Sequence, residues 1–182
     1  MIAIIVTGRS YKVIFVGDAA TGKTSLIAKN ADSAFQVNYI PTVCANISAK
    51  NYEFDGGSVK LLMWDIAGQV GFRRVRDQYY VGAAGAFIVY DVTRVKTFQD
   101  VCAWLDEVKK FASNQLQLTL LGNKVDLPRE VKREDGEKVA KEIGADFVET
   151  SAKTGENVKT AFADMAKKLL TQASLDLQKK EK

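Results

Sequence analysis

Gly17-Asp18-Ala19-Ala20-Thr21-Gly22-Lys23-Thr24 follows directly on the apolar run Val13-Ile14-Phe15-Val16. The spacing G-x-x-x-x-G-K-T is that of a loop that wraps phosphate. Gly17 leaves a strand, backbone N–H groups from Ala19 to Thr24 turn inward, and the helix that follows presents its positive end to an anion. In that arrangement Lys23 bridges the β- and γ-phosphates of a nucleotide, and the Thr24 hydroxyl is offered to Mg²⁺. The bland alternative is a glycine-bearing turn into a helix, and the strand before and helix after weigh against it.

Four later stretches extend the same chemistry. Tyr39-Ile40-Pro41-Thr42 precedes a hairpin, and Trp64-Asp65-Ile66-Ala67-Gly68-Gln69 ends the hairpin's second strand. Asn123-Lys124-Val125-Asp126 follows the strand Leu118 to Leu121, and Glu149-Thr150-Ser151-Ala152-Lys153 follows the last strand-like run. Any one of these could be a polar loop. Five in series, where strands end, describe one ligand site.

The elements that must position these loops are short. Lys12 to Val16, Ala86 to Tyr90, Leu116 to Leu121 and Asp146 to Glu149 are apolar runs rich in branched or aromatic residues, too short for helices. Val43 to Phe54 and Ser58 to Trp64 flank the turn signal Asp55-Gly56-Gly57, which predicts one antiparallel strand. Helix-period stripes lie between and after them: Phe98, Val101, Cys102, Leu105 and Val108, then Val158, Ala161, Phe162, Met165, Ala166, Leu169 and Leu170. The pattern predicts an α/β fold: a mostly parallel six-stranded sheet with one antiparallel strand and helices on both faces. The expected organisation is an N-terminal extension over 1–10, one domain over 11–172 and a basic tail over 173–182.

Composition bounds the function classes. The 182 residues suit one domain, and a formal charge of +4 is too slight for a dedicated nucleic-acid binder. The chain has no histidine, which excludes His-based triads and zinc hydrolases. Cys44 and Cys102 match no metal spacing, and the helical stripe predicts that Cys102 packs in the core. Met1 to Val6 is apolar but too short for a membrane span or signal core, and reads as an extra edge strand or an unordered lead.

On these motifs the chain resembles the Ras superfamily of small GTPases over about Tyr11 to Leu170. Trp64 to Gln69, Tyr79-Tyr80-Val81-Gly82-Ala83 and Val89-Tyr90-Asp91-Val92-Thr93 are most similar to the Rab branch. The base follows from chemistry as well. A carboxylate at Asp126 can accept both the N1–H and the exocyclic N2–H₂ of guanine, a pair adenine lacks. Asn123 would brace the loop and reach the purine, and the Lys124 stem would cover one ring face. The resemblance implies that backbone N–H groups of Ser151 and Ala152, with Lys153 beside them, meet guanine O6. Phe35 either lies against the other side of the base or packs as a core aromatic after the first helix. The expected phosphate contacts are Ala19, Ala20, Thr21, Gly22, Lys23, Thr24 and Ser25.

The same resemblance implies a metal and a switch. Asp65 would hold Mg²⁺ through a water, beside the hydroxyls of Thr24 and Thr42. Thr42 and Gly68 would give N–H groups to the γ-phosphate, and loss of that phosphate would release their loops. Gln69 would orient the attacking water, with Lys23 stabilising charge on the transferring phosphate. Arg73, Arg74 and Arg76 read as a solvated helix face.

Several residues depart from the family pattern. Ala19 and Ala20 replace residues that are frequently glycine or serine, and a methyl at Ala19 predicts slow turnover by crowding Gln69 or a partner's arginine. Val70-Gly71 stands where an acidic residue is usual, and Val43-Cys44-Ala45-Asn46-Ile47 differs from the usual Rab effector sequence. Gln178 to Lys182 contains no cysteine, so the sequence as given predicts no prenylation and leaves either a trimmed sequence or an unlipidated protein.

The reading that results is a Mg²⁺-dependent GTPase switch that binds GTP and GDP. Its implied partners are effector, exchange-factor and activating proteins. The expected protein is a cytoplasmic monomer, attached at most peripherally to a membrane. Its rival is a GTP-binding scaffold with negligible hydrolysis; a P-loop ATPase conflicts with Asn123-Lys124-Val125-Asp126.

Overall fold

A computed structural model describes residues 6–31, 45–69, 71, 73–113 and 115–180. Six strands form one sheet: β1 (Val6–Val16), β2 (Ala45–Phe54), β3 (Gly57–Ile66), β4 (Gly85–Asp91), β5 (Gln117–Asn123) and β6 (Asp146–Thr150), in the spatial order β2-β3-β1-β4-β5-β6. Only β2 runs antiparallel, registered on β3 from Ala45 opposite Ile66 to Phe54 opposite Gly57. All other pairings are parallel. The phosphate-loop strand therefore lies inside the sheet, with β3 on one side and β4 on the other.

Helices cover both faces, as the patterning predicts. On one face, α1 (Lys23–Asn30) and α6 (Val158–Lys180) bury Leu26, Ile27, Val158, Phe162 and Met165 against Val13, Phe15, Phe87 and Val89. Phe15 sits 4.7 Å from the ring of Phe87 and 5.3 Å from that of Phe162, so three aromatic rings tie helix to sheet. The opposite face carries α2 (Arg73–Tyr80), α3 (Val95–Gln99), α4 (Val101–Lys109) and α5 (Arg133–Ile143), packed on Ile14, Val16, Ile88 and Tyr90. Strand β4 is buried at every position, as expected of a parallel strand covered on both faces. Burying each large side chain in such layers stabilises the fold by about 1.5–3 kcal/mol.

Three local expectations change. The run Lys12 to Val16 is the second half of a longer strand, because β1 begins at Val6 and pairs through Arg9 and Ser10 with β3. Cys102 is exposed rather than core. The rest of the stripe holds, since α4 buries Val101, Trp104, Leu105 and Val108 and Phe98 packs against the same core, and Cys102 falls at the exposed edge of that face. Finally, α6 passes residue 172 unbroken, with Ala173 buried and Leu177 packed against the core.

Candidate nucleotide site

The loops after β1, β3, β5 and β6 gather at the C-terminal ends of the parallel strands. Asp18 to Gly22 joins β1 to α1, and Lys23 opens that helix. Gly22 takes φ 99°, and a Cβ there would lie 2.2 Å from Asn123 Nδ2. Glycine is thus required both by the backbone and by the approach of the next loop. Ala20 adopts φ 62° without being glycine, a strained position costing about 1 kcal/mol or more. Thr21 is buried, and its hydroxyl donates to the Asp18 carbonyl at 3.0 Å.

Lys23 is 5% exposed and folds back over the loop, donating to the carbonyls of Gly17 at 2.7 Å and Asp18 at 2.8 Å. Burial pulls its ammonium down to about 8, against the opposing influence of Asp65 and Asp18, so it keeps its charge at neutral pH. Thr24 Oγ1 donates to Asp65 Oδ2 at 2.5 Å. Ser25 follows, half-buried, in the first turn of α1. A hydroxyl and a carboxylate converging beside a charged lysine form a small oxygen-rich corner at the phosphate loop.

The second half of the site is built by Asn123, the last residue of β5. It is 1% exposed, and its Nδ2 donates to the Thr21 carbonyl at 2.8 Å. Its Oδ1 accepts from Thr150 Oγ1 at 3.3 Å and from the Ala152 N–H at 3.2 Å. One side chain therefore joins the loops after β1, β5 and β6. Asp126 Oδ1 accepts from Ser151 Oγ at 2.6 Å, while the exposed Lys153 ammonium lies 3.9 Å from Oδ2.

Internal bonds bear on the contacts expected of Ser151, Ala152 and Lys124. The Ser151 N–H donates to the Glu156 carbonyl at 3.2 Å, and the Ala152 N–H to Asn123, so both groups expected at guanine O6 are engaged within the protein. A base reached by them must share or displace those bonds. The Lys124 ammonium is drawn to Asp91 Oδ2 at 2.6 Å, which fixes where its stem runs.

Asp91 was not singled out from sequence, yet it is a hub. Its carboxylate accepts from the Thr93 N–H, the Thr93 hydroxyl, Arg94 Nε and Lys124 Nζ. Burial pushes this carboxyl up, but the bonds from Lys124 and Thr93 outweigh it and hold it below the usual range. Arg94 Nη2 continues to the Ala19 carbonyl at 3.0 Å, so Asp91 links the β5 loop to the phosphate loop.

The loop after β3 lies close against the phosphate loop. A Cβ on Gly68 would fall 2.4 Å from the Gly17 carbonyl oxygen and 2.6 Å from the Ala19 nitrogen. Behind this loop stands Arg76, and the solvated face expected for it is wrong at this residue. Arg76 is 3% exposed; it donates to the carbonyls of Ala67 at 3.3 Å and Gln69 at 3.0 Å, and pairs with both Glu107 oxygens. Its partner lies 31 residues along the chain, a separation at which no local pattern could reveal it. Phe35 and Thr42 lie outside the described residues.

A family model described as Ras family matches residues 12–171. The chain belongs to the Ras family. Within it, the similarity is to the Rab branch. Ras-related protein Rab-26 of Homo sapiens is 48% identical over 163 residues, covering 88% of this chain and 64% of the relative. The Rab-26 proteins of Rattus norvegicus and Mus musculus are 47% and 46% identical, each covering 88% of this chain and 63% of the relative. The chain spans just under two thirds of the length of these curated relatives. For a Ras family chain, the sheet order and the clustering of loops at one end are the expected frame.

Proposed function

We propose that this chain is a small GTPase that binds GTP and GDP with Mg²⁺, hydrolyses GTP slowly and acts as a nucleotide-dependent switch in membrane trafficking or signalling. The observation that carries this reading is the Asn123–Thr21 bond, which ties a guanine-type base loop to a phosphate loop as one site. Asp126 then accepts from the guanine edge, with Asn123 and Lys124 placing it, and Phe35, Ser151, Ala152 and Lys153 surrounding the base. Ala19 to Ser25 offer N–H groups to the phosphates, and Lys23 exchanges its two carbonyl partners for phosphate oxygens.

The Thr24 hydroxyl and Asp65 carboxylate are hard oxygen donors that converge beside the phosphate loop, which fits Mg²⁺ held by few protein ligands. Thr24, Asp65 and Thr42 would hold it, and it would neutralise charge on the β- and γ-oxygens. Gln69 orients the attacking water, and the N–H groups of Gly68 and Thr42 receive the γ-phosphate. Effector, exchange-factor and activating proteins read the resulting loop order.

We place this activity in the cytoplasm, on a monomer attached at most peripherally to a membrane, in line with the Rab-branch similarity. Single-turnover hydrolysis of preloaded GTP tests the reading. The parent rate is expected on the order of 10⁻⁴ s⁻¹. Gln69→Leu should lower it while GTP affinity stays at the parent's value. A mutant that hydrolyses at the parent's rate removes Gln69 from the mechanism.

A further inference from the structure

We propose that Arg76 is a positioning residue for hydrolysis, holding the 67–69 loop, and Gln69 with it, against the phosphate loop. The proposal rests on the reading of Gln69 given above. The guanidinium is used at both ends. Nε and Nη2 form a two-pronged pair with Glu107 of α4 at 2.9 and 3.2 Å, and Nη1 reaches the carbonyls of Ala67 and Gln69. Glu107 is oriented in turn by the Tyr80 hydroxyl at 2.7 Å.

Stability alone is a poor reason for this arrangement. Burying an ion pair costs desolvation that apolar side chains of similar size would avoid, so packing of α2 on α4 needs no charge here. What arginine adds is a planar fork that can grip a carboxylate and backbone carbonyls at once. Pinning the carbonyls of residues 67 and 69 fixes the peptide unit before Gly68 and the one after Gln69, which brackets Gln69 and sets the direction in which it leaves the backbone.

A second link runs to the phosphate loop. The Arg76 guanidinium lies 4.4 Å from the centroid of the Trp104 ring, and Trp104 Nε1 donates to Asp18 Oδ1 at 2.7 Å. Burial pushes the Asp18 carboxyl up while this N–H pulls it down, and the net direction is up. The 67–69 loop, through Arg76, and the phosphate loop, through Asp18, therefore both connect to one residue of α4. Misplacing a reacting group by about 1 Å can cost on the order of 100-fold in rate.

The test uses Arg76→Lys, which keeps a charge for Glu107 but cannot serve carboxylate and carbonyls together. The variant Arg76→Met/Glu107→Gln removes both buried charges and leaves Tyr80 an acceptor. Both should hydrolyse preloaded GTP about 10- to 100-fold more slowly, with GTP and GDP dissociation constants close to the parent's. In a Gln69→Leu background, Arg76→Lys should bring no further loss, because the two residues act in one step. A parent rate in Arg76→Lys overturns the proposal. So does an equal further loss in the Gln69→Leu background, or a fall in nucleotide affinity matching the fall in rate. A Gln69→Leu chain that keeps the parent rate while Arg76→Lys is slow overturns the Gln69 reading itself, and with it the route proposed for Arg76.

Discussion

Thr24 Oγ1 and Asp65 Oδ2 meet at 2.5 Å, joining the first turn of α1 to the end of β3 across 41 residues of chain. A cation entering there would take both oxygens as ligands or as partners of its bound water. Thr24→Asn replaces the hydroxyl with a bulkier amide. It should weaken Mg²⁺ and GTP binding more than GDP binding, by a loss on the order of 1–3 kcal/mol. Calorimetric titration with each nucleotide checks this; an unchanged ratio of GTP to GDP affinity removes Thr24 from the metal site.

Gly22→Ala attacks the join between the two halves of the site. The new methyl would meet Asn123 Nδ2, and the left-handed backbone at residue 22 disfavours any side chain. Losing the Asn123–Thr21 bond should loosen base and phosphate loops together. GTP and GDP are both expected to dissociate about 5- to 150-fold faster, from a loss of roughly 1–3 kcal/mol. Stopped-flow release of a fluorescent nucleotide would show it, and acceleration of GTP alone would be the wrong result.

Asp126→Asn exchanges one acceptor of the carboxylate for a donor while keeping a side chain within reach of Ser151. The amide suits the C2 carbonyl of xanthine better than the amine of guanine. GTP affinity should fall and XTP affinity rise in direct competition. If guanine is still preferred by the parent's margin, Asp126 does not read the base.

Alkali probes the packed tyrosines. Burial pushes Tyr52 up to about 12, and raises Tyr80 and Tyr90 as well, with Glu107 adding to the rise at Tyr80 and Glu149 at Tyr90. A phenol whose folded pKa exceeds its unfolded value of about 10 stabilises the fold fully below that value. The contribution is then lost as pH climbs toward the folded pKa. Phenolate absorbance from these three should appear only together with loss of circular dichroism, and Tyr80→Phe should shrink that late step. Complete phenolate formation with the fold intact would contradict the burial.

Legibility from sequence followed range of interaction. Gly17 to Thr24 declares itself because turn, anion and helix start are all local requirements. The stripe from Val158 to Leu170 is buried as its period implies, because one continuous helix keeps one phase. The stripe through Phe98, Val101, Leu105 and Val108 faces the core as well, but its centre lies toward Trp104, which leaves Cys102 at the exposed edge. Asp91, Arg94 and Arg76 stayed hidden for another reason. Their bonds to Lys124, Ala19 and Glu107 span 33, 75 and 31 residues, and a charged residue carries no sign of whether its partner is water or a distant loop.

The two tryptophans sit in different surroundings. Trp64 lies under the Lys12 ammonium, 4.0 Å from its ring centroid. Trp104 has a carboxylate of the phosphate loop on its N–H and, on its face, the α2 arginine that grips the 67–69 loop. An indole's emission shifts with nearby charge and hydrogen bonding, so Trp104 is a built-in optical gauge of the site. With Trp64 replaced by phenylalanine, its light alone would report, without any added label, when the two loops part.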